Sequence, residues 1–95
     1  MRLRKSAIAE TDLLAVWNYI AQDSPDAADR FWQRLNERFQ LLLRNPLIGE
    51  SQERFRPGLR SVIEGNCIIF YEPRPDEILI YRVLHAARRW EDMLS

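Results

Sequence analysis

The chain has 95 residues, of which 46% are hydrophobic and 29% charged, and its formal net charge is zero. That length predicts one domain, residues 1–95, and the balance excludes a disordered chain. Zero net charge argues against bulk electrostatic binding to nucleic acid, and a single cysteine rules out an internal disulfide, as suits a reducing cytoplasm.

Residues 1–5 predict a short edge strand. Their basic character is also that of a secretory leader, but Glu10 and Asp12 interrupt the apolar core a leader would need. The longest apolar runs, Leu13–Trp17 and Cys67–Tyr71, are five residues each, too short to span a bilayer. Ser6 is placed to cap a helix over 7–21, in which Ala9, Leu13, Trp17 and Ile20, with Val16 beside them, recur at helical spacing. Asp23-Ser24-Pro25-Asp26 stops that helix and starts a second, since serine caps, proline fits the first helical position and aspartate complements the dipole. Ala28, Phe31, Leu35, Phe39 and Leu42 trace its apolar stripe, and Asn45-Pro46 ends it. Two helices with a tight joint predict an antiparallel hairpin.

Residues 46–58 carry Pro46, Gly49, Pro57 and Gly58 without periodicity and read as a crossing loop. Three strands follow at about 59–64, 67–72 and 77–84, separated by Gly65-Asn66, a two-residue hairpin turn, and by Pro73-Arg74-Pro75-Asp76. The final run, Ala86 to Leu94, predicts a short terminal helix. The fold class is α+β, with a helical hairpin on a small antiparallel sheet.

Short turns would pair Glu64 with Cys67, Val62 with Ile69 and Arg60 with Tyr71. On the other side of the middle strand they would pair Tyr71 with Ile78, Ile69 with Ile80 and Cys67 with Arg82. One face then carries Leu59, Ile63, Ile68, Phe70, Leu79, Tyr81 and Val83, and is expected against the helices. The other carries Val62, Cys67, Ile69, Ile78, Ile80 and Leu84, studded with Arg60, Glu64, Tyr71 and Arg82. It is expected to stay partly open for a partner, unless the terminal segment and the crossing loop hide it. Glu64 and Arg82 would flank Cys67 as a local ion pair or as a catalytic pair.

The element order and several strings resemble the ParE/RelE superfamily of toxins from bacterial toxin–antitoxin modules, and the ParE branch in particular. The strings are Ala9-Glu10-Thr11-Asp12-Leu13 with Trp17-Asn18-Tyr19-Ile20, then Ser24-Pro25 with Ala28, Asn45-Pro46 with Gly49, and Pro57-Gly58-Leu59-Arg60. Ile69-Phe70-Tyr71 and Ile80-Tyr81-Arg82-Val83-Leu84-His85-Ala86-Ala87-Arg88 complete the set. The likeness runs roughly from Ala9 to Leu94. It implies a hetero-oligomer with a ParD-like antitoxin and inhibition of DNA gyrase, while the short apolar runs and zero net charge predict no membrane or direct nucleic-acid partner. The expected antitoxin surface is the hairpin flank with Arg60, Val62, Ile69, Ile78, Ile80 and Arg82. An acidic, apolar segment would suit those arginines and isoleucines. The expected target contacts are Arg88, Arg89 and Trp90.

The RelE branch implies instead cleavage of messenger RNA on the ribosome. Metal-free cleavage needs a base, charge stabilisation and an acid. Here Glu64 would be the base, Arg60 and Arg82 would hold phosphate, and His85 would be the acid. By the register above His85 falls on the opposite face, and the lysines of RelE itself are missing. His85 also fits a helix cap. Cys67 reads as core, and Trp17, Trp32 and Trp90 as packing residues. One histidine and one cysteine make no metal site, and no cofactor is expected. A relative that binds antitoxin without toxicity is the remaining alternative.

Overall fold

The computed structural model describes residues 1–85 and Leu94. In chain order the elements are β1 (Arg2–Lys5), α1 (Ala7–Asp23), α2 (Pro25–Arg44), β2 (Glu50–Ser51), β3 (Arg60–Glu64), β4 (Cys67–Pro73) and β5 (Glu77–His85). Two helices pack on a mixed sheet of order β1-β5-β4-β3-β2. The expected terminal helix, with Arg88, Arg89 and Trp90, lies outside the described residues.

Both helix starts are built as the sequence dictates. Ser6 Oγ accepts from the Ala9 amide at 3.0 Å and donates to the Tyr81 carbonyl at 2.8 Å, so one hydroxyl caps α1 and pins it to β5. Ser24 closes α1 and opens α2. Its amide donates to Ile20 O at 3.0 Å, while its Oγ accepts from the Ala27 amide at 3.1 Å. Such caps are worth about 1 kcal/mol each. Ala28, Phe31, Leu35, Phe39 and Leu42 are all buried, as their spacing requires.

Two features of the sheet depart from expectation. β1 runs parallel to β5, with Arg2 opposite Glu77 and Lys5 opposite Ile80, so the sheet is not wholly antiparallel. Parallel neighbours need a long crossover, and the helical hairpin with β2–β4 supplies one. The crossing loop also contributes a strand, β2, only two residues long, which pairs Glu50 with Ser61 and Ser51 with Arg60. No hydrophobic alternation announces so short a piece.

The β3–β4 register is the predicted one, from Arg60–Tyr71 to Glu64–Cys67, closed by Gly65 at φ +59°. The β4–β5 register is not. Tyr71 opposes Ile80, Phe70 opposes Arg82 and Cys67 opposes His85, so Tyr81 is an extra residue, a β-bulge. Arg82 and Val83 both turn toward α1 in consequence.

The assignment of faces is inverted as well. Cys67, Ile69, Tyr71, Ile78, Ile80 and Val83 form one core with Ala9, Leu13, Phe31, Leu35, Phe39 and Leu42 of the helices. On the far side Leu59, Ile68, Phe70 and Leu84 form a second cluster, covered by Phe55, Tyr81 and Leu94. Both faces are apolar, so alternation could sort residues into two sets without choosing which set meets the helices. The charges decided it, because Arg60, Glu64 and Arg82 sit at the margins of the hairpin face, where helix and loop groups satisfy them.

Candidate functional site

The charged residues expected at the site, Arg60, Glu64 and Arg82, each have a structural employment. Arg82 donates through Nε and Nη2 to Asp12 of α1, at 2.9 and 3.0 Å, and both side chains are only 12% exposed. The pairing holds the Arg82 guanidinium above its ordinary pKa, chiefly through the hydrogen bonds it donates to Asp12. Arg60 Nη1 donates to the carbonyls of Gly49 at 2.7 Å and Leu47 at 3.2 Å, fastening the crossing loop to β3. Glu64 accepts from Arg38 Nε at 3.3 Å and lies 3.9 Å from Arg34 Nε, tying β3 to α2.

The proposed docking face therefore does not stay open. Ile69, Ile78 and Ile80 are fully buried beneath the hairpin, and Val62 packs against the same core. The three charged residues that were expected to greet a partner act between elements of this chain.

The bulge brings His85, rather than Arg82, opposite Cys67. Glu64, Cys67 and His85 thus occupy one row across three strands, on the side facing the helices. The His85 ring meets the Tyr19 ring edge-on, with centroids 6.4 Å apart. Glu64 and His85 share a face after all, but a buried thiol lies between them. Burial pushes the Cys67 thiol up to about 11, and the Glu64 charge adds to the effect. A thiol so protonated is a poor nucleophile and a poor metal ligand.

A second polar centre anchors the crossing loop. Tyr71 Oη donates to Pro46 O and accepts from the Gly49 amide, both at 2.8 Å. Burial raises the Tyr71 pKa above its ordinary value, opposed by the Gly49 amide and the Arg60 charge. A Cβ on Gly49 would stand 2.6 Å from Tyr71 Oη and 2.8 Å from Ser61 O, so only glycine fits.

Among the described residues, α1 presents one surface that does remain available. Leu14 and Tyr19 are 62% and 67% exposed, and Ile8 is also exposed. Thr11, Ala15, Asn18 and Gln22 lie between these flanks at helical spacing, giving an uncharged crest. A groove of about 520 Å³ runs along one flank, between α1 and α2, lined by Leu13, Leu14, Trp17 and Trp32 with Lys5, Glu10 and Asp29. Another of about 380 Å³ runs along the other flank, beside β5, lined by Asp12, Ala15, Val16, Tyr19, Val83, Leu84 and His85. Residues 7–29 contain five carboxylates, Glu10, Asp12, Asp23, Asp26 and Asp29, and no basic residue. Asp12 alone of these is spent on Arg82 in the pairs described. The α1 surface is apolar and acidic, the reverse in sign of the expected arginine-rich face. The signal was legible, because an apolar residue at Leu14 falls outside the stripe of Ala9, Leu13, Val16 and Ile20.

Among the described residues no cluster of three or more histidine, cysteine or acidic side chains could hold a metal ion, and no helix is long and apolar enough to cross a membrane.

Comparisons with known proteins agree with the architecture. A family model described as the ParE toxin of the type II toxin–antitoxin system parDE matches residues 3–90. No curated protein matches the sequence. A solved structure of the chromosomal ParDE TA system from P. aeruginosa is similar in fold. Its TM-score is 0.72 at 23% identity, over 90% of this chain and 95% of that chain.

Proposed function

The chain belongs to the ParE toxin family of type II toxin–antitoxin systems, and from that premise we propose that it is a binding toxin without nuclease chemistry. A ParD-like antitoxin neutralises it in a cytoplasmic complex, and once released it inhibits DNA gyrase. The observation that carries this reading is the fate of the charged groups. Arg60 is spent on loop carbonyls, Glu64 on Arg38, and Arg82 on Asp12. Phosphate-binding arginines and a general base must face a substrate with their polar atoms available. These face their own fold.

The antitoxin docks on α1. A helix that exposes Ile8, Leu14 and Tyr19 on the flanks of an uncharged crest suits a partner helix laid in its grooves. The carboxylates at 10, 23, 26 and 29 select a segment carrying lysine or arginine among its apolar residues.

The test is a supercoiling assay with purified gyrase, run beside toeprinting of messenger RNA in a translation extract. Loss of supercoiling without messenger cleavage is expected. Cleavage that disappears in His85→Ala would replace this reading with a ribosome-dependent nuclease. Inactivity in both assays, with antitoxin still bound, would assign a non-toxic relative.

A further inference from the structure

We infer that the free edge of β3 is a second docking element, which receives an extended segment of the antitoxin as an added strand. The inference rests on the antitoxin reading above and names a contact distinct from α1.

β2 pairs only with Arg60 and Ser61, so among the described residues Val62, Ile63 and Glu64 have no strand beside them on that side. The Gln52 amide donates to Leu59 O at 2.8 Å, which shows that Leu59 turns its backbone toward β2. By the two-residue period of an antiparallel ladder, Ser61 and Ile63 turn theirs the same way. Ile63 therefore offers one amide and one carbonyl outward, beside a side chain that is 64% exposed.

The chain itself vacates this track. Continuing β2 toward its N-terminus would carry residues 48 and 49 alongside Val62 and Ile63. Tyr71 Oη instead captures the Gly49 amide and the Pro46 carbonyl and draws the backbone away. What is left is a groove of about 480 Å³ between Ile48 and Ile63, with Ile68 and Arg38 among its lining residues. Native sheets usually blunt such an edge with a lysine, a proline or a covering loop. Here an exposed isoleucine occupies it, next to exposed Ile48.

The groove also selects the side chains of its occupant. Arg34 and Arg38 share the one carboxylate of Glu64, so arginine outnumbers carboxylate at the α2 end of the edge, while Glu50 lines the groove at its β2 end. An extended segment with apolar residues against Ile48 and Ile63, and an acidic residue toward Arg38, matches the site. A second copy of this chain fits worse, because antiparallel pairing about Ile63 would bring two sets of these arginines together.

The experiment measures residue-resolved amide hydrogen exchange on the toxin alone and in complex with the antitoxin co-expressed from the neighbouring reading frame. The Ile63 amide is expected to slow at least about tenfold on complex formation. In parallel Ile63→Lys, on an exposed side chain that leaves the fold intact, is expected to weaken antitoxin binding about tenfold or more. A complex that forms while the Ile63 amide exchanges as in the free toxin overturns the edge contact and leaves the α1 reading standing. Failure to form any complex overturns both. Protection that rises with toxin concentration alone assigns the edge to a second copy and overturns the proposal.

Discussion

Asp12 and Arg82 are seventy residues apart, yet one carboxylate of α1 serves three donors from two residues of β5. It accepts Arg82 Nε and Nη2 at 2.9 and 3.0 Å and the Val83 amide at 3.1 Å. The bulge at Tyr81 makes this arrangement possible, because it presents Arg82 and Val83 together to the helix. Asp12→Ala would remove two hydrogen bonds from a mostly buried guanidinium and one from an amide at once. A loss of about 2–4 kcal/mol is expected in urea denaturation. Replacing both partners, as Asp12→Leu with Arg82→Met, should recover a large part of it, since the mostly buried charge is removed as well. A single substitution costing under about 0.5 kcal/mol would mean the pair is ornamental.

Gly49 and Tyr71 form the second joint. Gly49→Ala places a methyl against Tyr71 Oη and Ser61 O, and should cost about 1–3 kcal/mol as overpacking. Tyr71→Phe leaves the Gly49 amide and Pro46 carbonyl without their partner and should cost about 1–2 kcal/mol. In the double variant the alanine penalty should shrink, because the closest contact is gone. Strict additivity in a denaturation cycle would refute the coupling.

The Cys67 thiol, raised to about 11 and buried, should resist modification in the folded protein. Incubation with a thiol reagent at pH 8 is expected to label native protein far more slowly than guanidinium-unfolded protein, which should react fully. Rapid labelling of the folded chain would contradict this environment for the thiol.

Glu77 lies in an acid-sensitive cluster. It accepts from Arg4 at 2.9 Å and from Arg74 at 3.2 Å, with Arg2 at 3.6 Å, and its pKa is held below the ordinary carboxylate value, chiefly by the Arg4 hydrogen bonds. A depressed folded-state pKa contributes stability that is present above the unfolded value and lost as pH falls through the folded one. The thermal midpoint should therefore drop below about pH 4.3. Glu77→Gln should be less stable at pH 7, with the gap to the parent narrowing on acidification. A gap independent of pH would remove the electrostatic explanation.

On α1, Leu14→Lys should weaken antitoxin binding at least about tenfold in calorimetry, with little change in the toxin's thermal midpoint. Leu14 is exposed and its side chain adds little to the fold. Unchanged affinity would move the docking site off this helix.

Helices, caps and the β3–β4 turn were legible because each is a local matter. Ser6, Ser24 and the stripe from Ala28 to Leu42 state their roles within a few residues, and Gly65-Asn66 fixes the first register. The second register depended on a bulge with no local mark, as Tyr81 is an ordinary strand residue in composition. The inverted faces have a different origin. Ile69 and Ile68 are equally apolar, and only Asp12, Arg38 and the carbonyls of residues 47 and 49, all distant in sequence, reveal why the arginine-bearing side turns inward. The candidate site suffered accordingly. Arginines that looked like bait for a partner are fasteners, while the accessible surface lay on Leu14 and Tyr19, out of phase with their own helix.

The order of the sheet has a bearing on how the toxin is made. β5 lies between β1 and β4, so the first strand to leave the translation machinery has no neighbour until one of the last emerges. Asp12 and the Ser6 hydroxyl likewise wait for residues 81–83 before their bonds can close. A nascent chain halted before Glu77 holds the helical hairpin and β3–β4 but lacks Ile78, Ile80 and Val83, the β5 part of the core. The sheet thus closes only when one of the last segments of the chain has been made.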